Sequence, residues 1–282
     1  MMSTTLVFVK LGGSILTDKT QAETLNTPVL HTTVQAIADA LREQPALRLL
    51  IGHGGGSFGH YWAQKYNTHR GVSDAAGWLG AARVADAQGR LNRTIVGALL
   101  EAGVAAIGAP PSTSALAHGG SVQRMETATL ERMLYGVHGS AEQPSAERCL
   151  TPVVHGDITL DDQQQVSISS TEAIFEYLTP LLRPQRIVLV GEAGVFTADP
   201  RRDPDAVRIA QINAANIETV LTQTGASHGA DVTGGMAAKV AHMWRLVQAV
   251  PGLTVQLVGV DPLSLRQALR GEPVADGTII SQ

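Results

Sequence analysis

Cysteine is almost absent from this chain. Cys149 stands alone, which excludes an intramolecular disulfide and any multi-cysteine metal site. Its expected role is that of a small buried apolar residue. Long hydrophobic runs are missing too: no stretch of about 18 apolar residues exists, so no membrane span is expected. The N-terminus "MMSTTLVFVKLGG" enters a strand at once and has no basic region followed by a small-residue cleavage site, which predicts a cytoplasmic protein. Aromatic residues make up only 4%, net charge is -4, and no basic stripe runs along the chain. A nucleic-acid-binding surface is therefore not expected. The phosphate-loop pattern GxxxxGK[ST] does not occur. Lysine is scarce as well. Seventeen of the 21 basic residues are arginines, and the lysines are Lys10, Lys19, Lys65 and Lys239. Where arginine carries the general surface charge, a retained lysine marks a place for a compact point charge.

What is present is a chain long enough, at 282 residues, to bury a large core. Short β-branched runs alternate with helical spacing. "TLVFVKL" (5–11), "LRLLI" (47–51), "VAAIGA" (104–109), "RIVLV" (186–190) and "LTVQLVG" read as strands, the last being the final one. Helices are predicted over 31–44, about 74–102 with Gly103 as the stop, 234–250, and the terminal "DPLSLRQALRG". "LTPVVHGDITLDDQQQVSIS" reads as a β-hairpin, followed by a helix capped in "STE". Strand–helix–strand units with short loops predict a mainly parallel sheet covered on both faces. Ligands bind such sheets beyond the carboxyl ends of the strands. Glycine clusters at 12–13, 54–56 and 191–194 all follow strands and should meet at that edge.

Three of these loops carry chemistry. "KLGGS" (Lys10–Ser14) offers backbone amides and one ammonium, a combination suited to phosphate oxygens. "GHGGGSFGH" (52–60) places three consecutive glycines before a helix starting near Ser57. Three residues so costly to order must serve backbone geometry or the close approach of a phosphate, a cofactor or another piece of backbone. His60 would lie at the start of that helix and face the same anion, whereas His53 reads as structural. Gly54, Gly56 and Gly59 match GxGxxG, but no acidic strand end follows about 20 residues later, so a nicotinamide site is disfavoured. "DVTGGMAAKV" (231–240) again aims amides, a helix start and Lys239 at an anion. Several cations and many amides at one spot suit phosphoryl transfer, where positioning and charge stabilisation do most of the catalysis.

Taken together, "KLGGS", "GHGGGSFGH", "HGD", "GVFTADP" and "DVTGGMAAK" resemble the amino acid kinase superfamily, and "GGGSFGH" resembles its isopentenyl phosphate kinase branch. The resemblance implies an α/β fold, a three-layer αβα sandwich with a mainly parallel central sheet of about eight strands. It implies a single domain over 1–282, with an acceptor lobe to about 180 and a nucleotide lobe beyond. It implies ATP and Mg²⁺ as cofactors, a small-molecule phosphate as substrate, and a homodimer. By motif matching, Lys10, Gly12, Gly13 and Ser14 surround the transferred group, and Lys19 closes over it. Gly55, His60, Asp157 and Ser170 fall with the acceptor. Gly56 touches both substrates' phosphates, while Gly191, Phe196, Thr197, Ala198, Asp199, Pro200 and Arg201 line the nucleotide, and Gly235 and Lys239 hold its β- and γ-phosphates. Of the helical residues available for an apolar acceptor tail, Trp78, Val84 and Met125 are expected mainly in the core.

Two departures stand out. The family's Ser-Gly-Asp, whose aspartate orients the lysines, reads Ser169-Ser170-Thr171 here, leaving Asp157 or Glu172 to supply the anion. The family's "TDV" reads Val190-Gly191-Glu192. The leading expectation is phosphorylation of isopentenyl phosphate by ATP. The rivals are a kinase of the same fold acting on another phosphate or a phosphonate, and a nucleotide or metabolite sensor that the Ser169–Thr171 departure would have disarmed.

Overall fold

A computed structural model of the chain describes residues 4–18, 20–145, 147, 149–200, 202–225 and 235–282. In chain order it begins β1 (Thr5–Leu11), α1 (Gly13–Leu16), α2 (Thr27–Glu43), β2 (Leu47–His53), α3 (Gly56–Lys65), α4 (Ala75–Glu101) and β3 (Ala106–Gly108). Then come β4 (Ala115–His118), β5 (Ser121–Met125), α5 (Ala128–Tyr135), β6 (Thr151–His155), β7 (Asp157–Asp161) and β8 (Gln165–Ser169). The remainder is α6 (Thr171–Leu182), β9 (Arg186–Val190), β10 (Val195–Phe196), β11 (Arg208–Ile209), β12 (Gln211–Ile212), α7 (Ile217–Gly225), α8 (Gly235–Ala249), β13 (Thr254–Val258), α9 (Pro262–Arg270) and β14 (Gly277–Ile280).

Eight strands form the central sheet in the order β12-β14-β13-β9-β1-β2-β6-β3. Every neighbouring pair is parallel except β13 with β14. The pleat sends alternate residues of β1 into two cores. Val7, Val9 and Leu11 join Leu49 and Ile51 under α2, α4 and α9, through residues such as Ile37, Leu91 and Leu265. Leu6 and Phe8 join Leu50 under α5 to α8, through residues such as Leu134, Phe175, Val220 and Met243. The result is the expected three-layer αβα sandwich, and each fully buried side chain of this size contributes roughly 1.5–3 kcal/mol. No helix among the described residues is long and apolar enough to cross a membrane.

Local signals set the long helix. The Asp74 carboxylate caps α4 by accepting the Gly77 N–H at 2.7 Å, and Gly103 ends it with φ +84°. The stretch 150–169 differs from the predicted single hairpin. Its first run, Thr151–His155, is buried throughout and enters the central sheet as β6, between β2 and β3. An apolar run without polar alternation suits a strand covered on both faces. Only β7 and β8 form the hairpin, within a separate four-stranded sheet ordered β5-β4-β7-β8. Nor is β13 the final strand: β14 follows α9 and pairs antiparallel with it. Cys149 is partly exposed rather than buried, because it lies in the loop between α5 and β6. Val84 and Met125 are core residues, but Trp78 is 46% exposed on the first turn of α4.

Register brings the glycine loops together. Leu11 lies opposite both His53 and Val190, so β1, β2 and β9 end at the same edge. Backbone bonds stitch the loops at that point: Gly54 N–H to Leu11 O at 3.0 Å, Gly12 N–H to Val190 O at 2.9 Å, and Gly191 N–H to Val258 O at 2.9 Å.

Candidate active site

The loop after β1 and the loop after β2 pack backbone against backbone. A Cβ on Gly13 would lie 2.4 Å from the Gly56 nitrogen, and one on Gly54 would lie 2.9 Å from the Gly13 nitrogen. Gly56 has φ +49°, and a Cβ there would sit 2.1 Å from Thr17 Oγ1. Thr17 pins the contact, donating to Gly13 O at 2.8 Å and accepting the Ser57 N–H at 2.9 Å. The triple glycine thus serves first as an internal joint. Gly55 and Gly59 serve a second one. A Cβ on either would fall 2.1 Å from Nε2 of Gln88, a buried α4 side chain whose Oε1 has no hydrogen-bond partner among the described residues. The outcome is a ten-residue helix, α3, that starts at Gly56 with no side-chain cap. Its N-terminal partial positive charge sits at the joint between the two loops. His60 is the fifth residue of α3 and is exposed; Ser14, on α1, is exposed too.

Lys10 and Lys239 each face a carboxylate. Lys10, the sixth residue of β1, donates from Nζ to a carboxylate oxygen of Glu172, on the first turn of α6. Burial pushes the Glu172 carboxyl up, but the charge and hydrogen bond of Lys10, together with the charge of Lys239, outweigh it and hold it below the usual range. Lys239, on α8, lies 3.9 Å from the Glu192 carboxylate in the loop after β9. The acidic residue facing Lys10 is Glu172, and not Asp157. Asp157 is 1% exposed, accepts the Ser112 N–H at 3.3 Å, and lies 3.9 Å from His155 Nδ1. Burial raises its carboxyl above the ordinary value, against the pull of His155 and its hydrogen bonds. Ser170 caps α6 through Oγ, accepting the Ala173 N–H at 3.1 Å. Thr171 donates to His53 O at 2.6 Å and ties α6 to the end of β2.

Beneath the glycine joint sits a buried polar pair. His53 and His155 stack at 5.2 Å, neighbours in the register of β2 and β6. His53 Nδ1 faces Gly54 O at 3.1 Å, and its Nε2 faces the Asn92 amide nitrogen at 3.1 Å. Since Asn92 Nδ2 also donates to Val153 O at 3.2 Å, Nε2 is the acceptor and Nδ1 carries the proton. Burial, then the neighbouring His155, lower the His53 pKa to about 3. His53 is structural, as its sequence context predicts.

Beyond β9, a Cβ on Gly191 would have no atom of the described residues within 4 Å. Phe196 ends β10, and Thr197 exchanges two hydrogen bonds with Val207, its N–H reaching Val207 O at 2.9 Å and its Oγ1 accepting the Val207 N–H at 3.0 Å. Ala198 follows it; Asp199 lies 3.8 Å from Arg202, and Pro200 comes just before Arg201. Gly235 opens α8 with φ +60°. Lys19, Arg201 and the segment 226–234, including Thr233 and Gly234, lie outside the described residues. Thr17 and Gln88 escaped the sequence reading. Their side chains matter only once α1, α3 and α4 are folded together, and no motif marks them.

The whole chain has relatives. Residues 5–257 match the model of the amino acid kinase family. An isopentenyl phosphate kinase of Haloferax volcanii is 31% identical over 275 residues, covering 95% of this chain and 99% of that protein. One of Methanothermobacter thermautotrophicus is 27% identical over 278 residues, covering 95% and 97%. A crystallographic isopentenyl phosphate kinase superposes with a TM-score of 0.77 at 25% identity, covering 98% of this chain and 100% of that one. With its glycine joint and paired lysines on that same sandwich, the chain belongs to the amino acid kinase family and to its isopentenyl phosphate kinase branch.

Proposed function

We propose that this enzyme transfers the γ-phosphoryl group of ATP to isopentenyl phosphate, giving isopentenyl diphosphate and ADP. One observation carries the reading beyond family membership: Lys10 pairs with Glu172 at the start of α6, and Lys239, 229 residues away in sequence, lies 3.9 Å from Glu192 in the loop after β9. Two ammonium groups beside strand-end loops, together with a helix N-terminus at the glycine joint, suit the meeting of two polyanions. The acceptor oxygen is already anionic at neutral pH, so no general base is required. That oxygen forms the new bond to the γ-phosphorus as the bond to the β,γ-bridging oxygen breaks, and ADP leaves with the electron pair. The obstacle is repulsion, and Lys10 and Lys239 lower it by charge.

In this reading His60 donates to the acceptor's phosphate, and Gly55 and Gly56 present the first turn of α3 to the phosphates. Gly12, Gly13, Gly191 and Gly235 allow the nucleotide's phosphates close approach, and residues 196–201 flank the nucleoside. Lys19 would add a third charge from its loop. The part of the chain up to about 180 serves the acceptor and the remainder the nucleotide. The donor set also fits a Mg²⁺ ion that arrives on the nucleotide. Among the described residues no group of three or more His, Cys, Asp or Glu side chains is arranged to hold a metal by itself. When bound, such an ion neutralises phosphate charge and keeps most of its water. The relatives' name supports the substrate, and a homodimer belongs to the same proposal.

An assay of ADP release over a panel of monophosphates and phosphonates tests this function. Isopentenyl phosphate should give the highest kcat/KM. A phosphonate turned over faster would reassign the acceptor, and ATP binding with no turnover on any acceptor would make the chain a sensor.

A further inference from the structure

Glu23 is one of four described residues other than glycine with positive φ, at +51°, and its side chain makes a part-buried hydrogen bond to α3. Its carboxylate accepts the Trp62 indole N–H at 2.6 Å through one oxygen and pairs with Arg90 at 2.7 Å through the other. Trp62 is on α3 and Arg90 on α4, so one side chain ties the segment between α1 and α2 to both helices. The indole cannot turn away easily. It stacks on Tyr66 at 6.1 Å, and the cations of Lys65 and Arg83 lie 4.9 and 5.7 Å from its ring centre. Burial pushes the Glu23 carboxyl up, but the hydrogen bonds from Trp62 and Arg90 and the charge of Arg90 outweigh it, so the group is held ionised.

The same segment is fastened to the first turn of α3. The Glu23 N–H reaches Ser57 O at 3.4 Å, and the Thr24 N–H reaches Ser57 Oγ at 3.2 Å. Thr17 holds the Ser57 N–H from the other end of the segment. The chain therefore arches beside the glycine joint with Thr20 and Gln21 exposed, and Glu23 is the post on which its returning arm rests. A residue kept in the left-handed region, where a side chain other than glycine is strained, is held there by its surroundings.

We propose that Glu23 is a positioning residue of the acceptor side: by clasping Trp62 and Arg90 it fixes the arch across the start of α3 and so sets the entrance through which the acceptor phosphate reaches Gly55, Gly56 and His60. This rests on the acceptor reading given above. It commits the clasp to one substrate only, because its partners Trp62, Arg90 and Ser57 all lie on α3 and α4, on the acceptor side of the glycine joint. Losing a positioning group of this kind displaces bound atoms by about an ångström, enough to change apparent affinity about tenfold.

The experiment compares wild type with Glu23→Ala, Glu23→Gln and Trp62→Phe, using isopentenyl phosphate and ATP. Glu23→Ala should raise the acceptor KM about tenfold while the ATP KM stays within about twofold, and Glu23→Gln, which still accepts from Trp62, should recover part of the loss. Trp62→Phe should move the acceptor KM in the same direction. Equal changes in both KM values, or no change, would overturn the assignment. Hydrogen exchange of the amides of residues 20–26, measured without substrates, gives a second readout. It should quicken in Glu23→Ala, and unchanged exchange would dispose of the clasp. Should wild type turn over no isopentenyl phosphate, the acceptor reading fails, while the exchange comparison still decides whether Glu23 holds the arch.

Discussion

The ammonium of Lys10 donates to the carboxylate of Glu172, a partner 162 residues away in sequence, and the same carboxylate is lowered by the charge of Lys239. Glu172 stands one position after Thr171, whose hydroxyl donates to His53 O and ties α6 to the end of β2. Replacing Lys10 or Lys239 by alanine should cost at least about 3 kcal/mol in transition-state stabilisation, the scale of one lost electrostatic group. Pre-steady-state ATP turnover with saturating acceptor measures it, and near-normal rates would remove these lysines from the chemistry.

Glu172 itself should behave as a positioning group. Glu172→Gln keeps an oxygen for Lys10 but removes the charge, and it should lower kcat by about tenfold to a hundredfold with both KM values little altered. The sign of its pH dependence follows from the lowered pKa. The carboxylate is ionised above its ordinary value of 4.5 and loses its hold on Lys10 as pH falls through its folded, lower value. An acid limb in the kcat profile that disappears in Glu172→Gln is the expected signature. A limb that persists unchanged would belong to another group.

His60→Ala should raise the KM for the monophosphate far more than that for ATP, because the side chain is assigned to the acceptor alone. Parallel titrations of the two substrates at fixed saturation of the other measure the ratio. A matched rise in both would assign His60 to the shared phosphate cradle.

Much of this site is legible in sequence, for a definite reason. Glycines, scarce lysines and capping residues act locally, so "KLGGS", "GGGSFGH" and the Asp74 start of α4 can be read where they stand. The parallel sheet follows from buried β-branched runs such as "RIVLV". Long-range choices are a different matter. Asp157 and Glu172 look equally able to supply the missing anion, and only the turn at Gly156 decides it, burying Asp157 against Ser112 and His155. The joining of Gly55 and Gly59 to Gln88, or of Gly56 to Thr17, depends on how α4 and α1 pack on α3. Strand β14 is four residues long and is held in the sheet between β13 and β12, both distant in sequence from any local signal for it.

Gly56→Ala tests whether the glycine joint is structural. The new methyl group would lie 2.1 Å from Thr17 Oγ1 and 2.7 Å from Gly13 O, at φ +49°. Left-handed strain and overpacking together should cost about 3 kcal/mol of stability. Urea unfolding without ligand measures it. Full stability with lost activity would mean instead that the glycine is kept for the approach of a phosphate alone.

His53 offers a test through pH. Folded, it is neutral with a pKa of about 3; unfolded, it should titrate near 6.5. Between these values the unfolded chain binds a proton that the folded chain does not, so stability falls as pH drops from about 6.5 toward 3. One such group gives a slope of at most about 1.4 kcal/mol per pH unit. Protonating Nε2 in the folded state would also set it against the Asn92 amide, itself a donor. Asp157 works in the opposite sense. Its raised carboxyl stabilises the fold below its ordinary 3.8, and that contribution is lost as pH rises through the folded value, which blunts the acid end of the curve. His53→Gln keeps an acceptor within reach of Asn92 and cannot titrate. Its unfolding free energy should therefore be flatter than that of wild type between pH 4 and 6.5. Parallel curves for the two proteins would mean that His53 carries its proton into the fold.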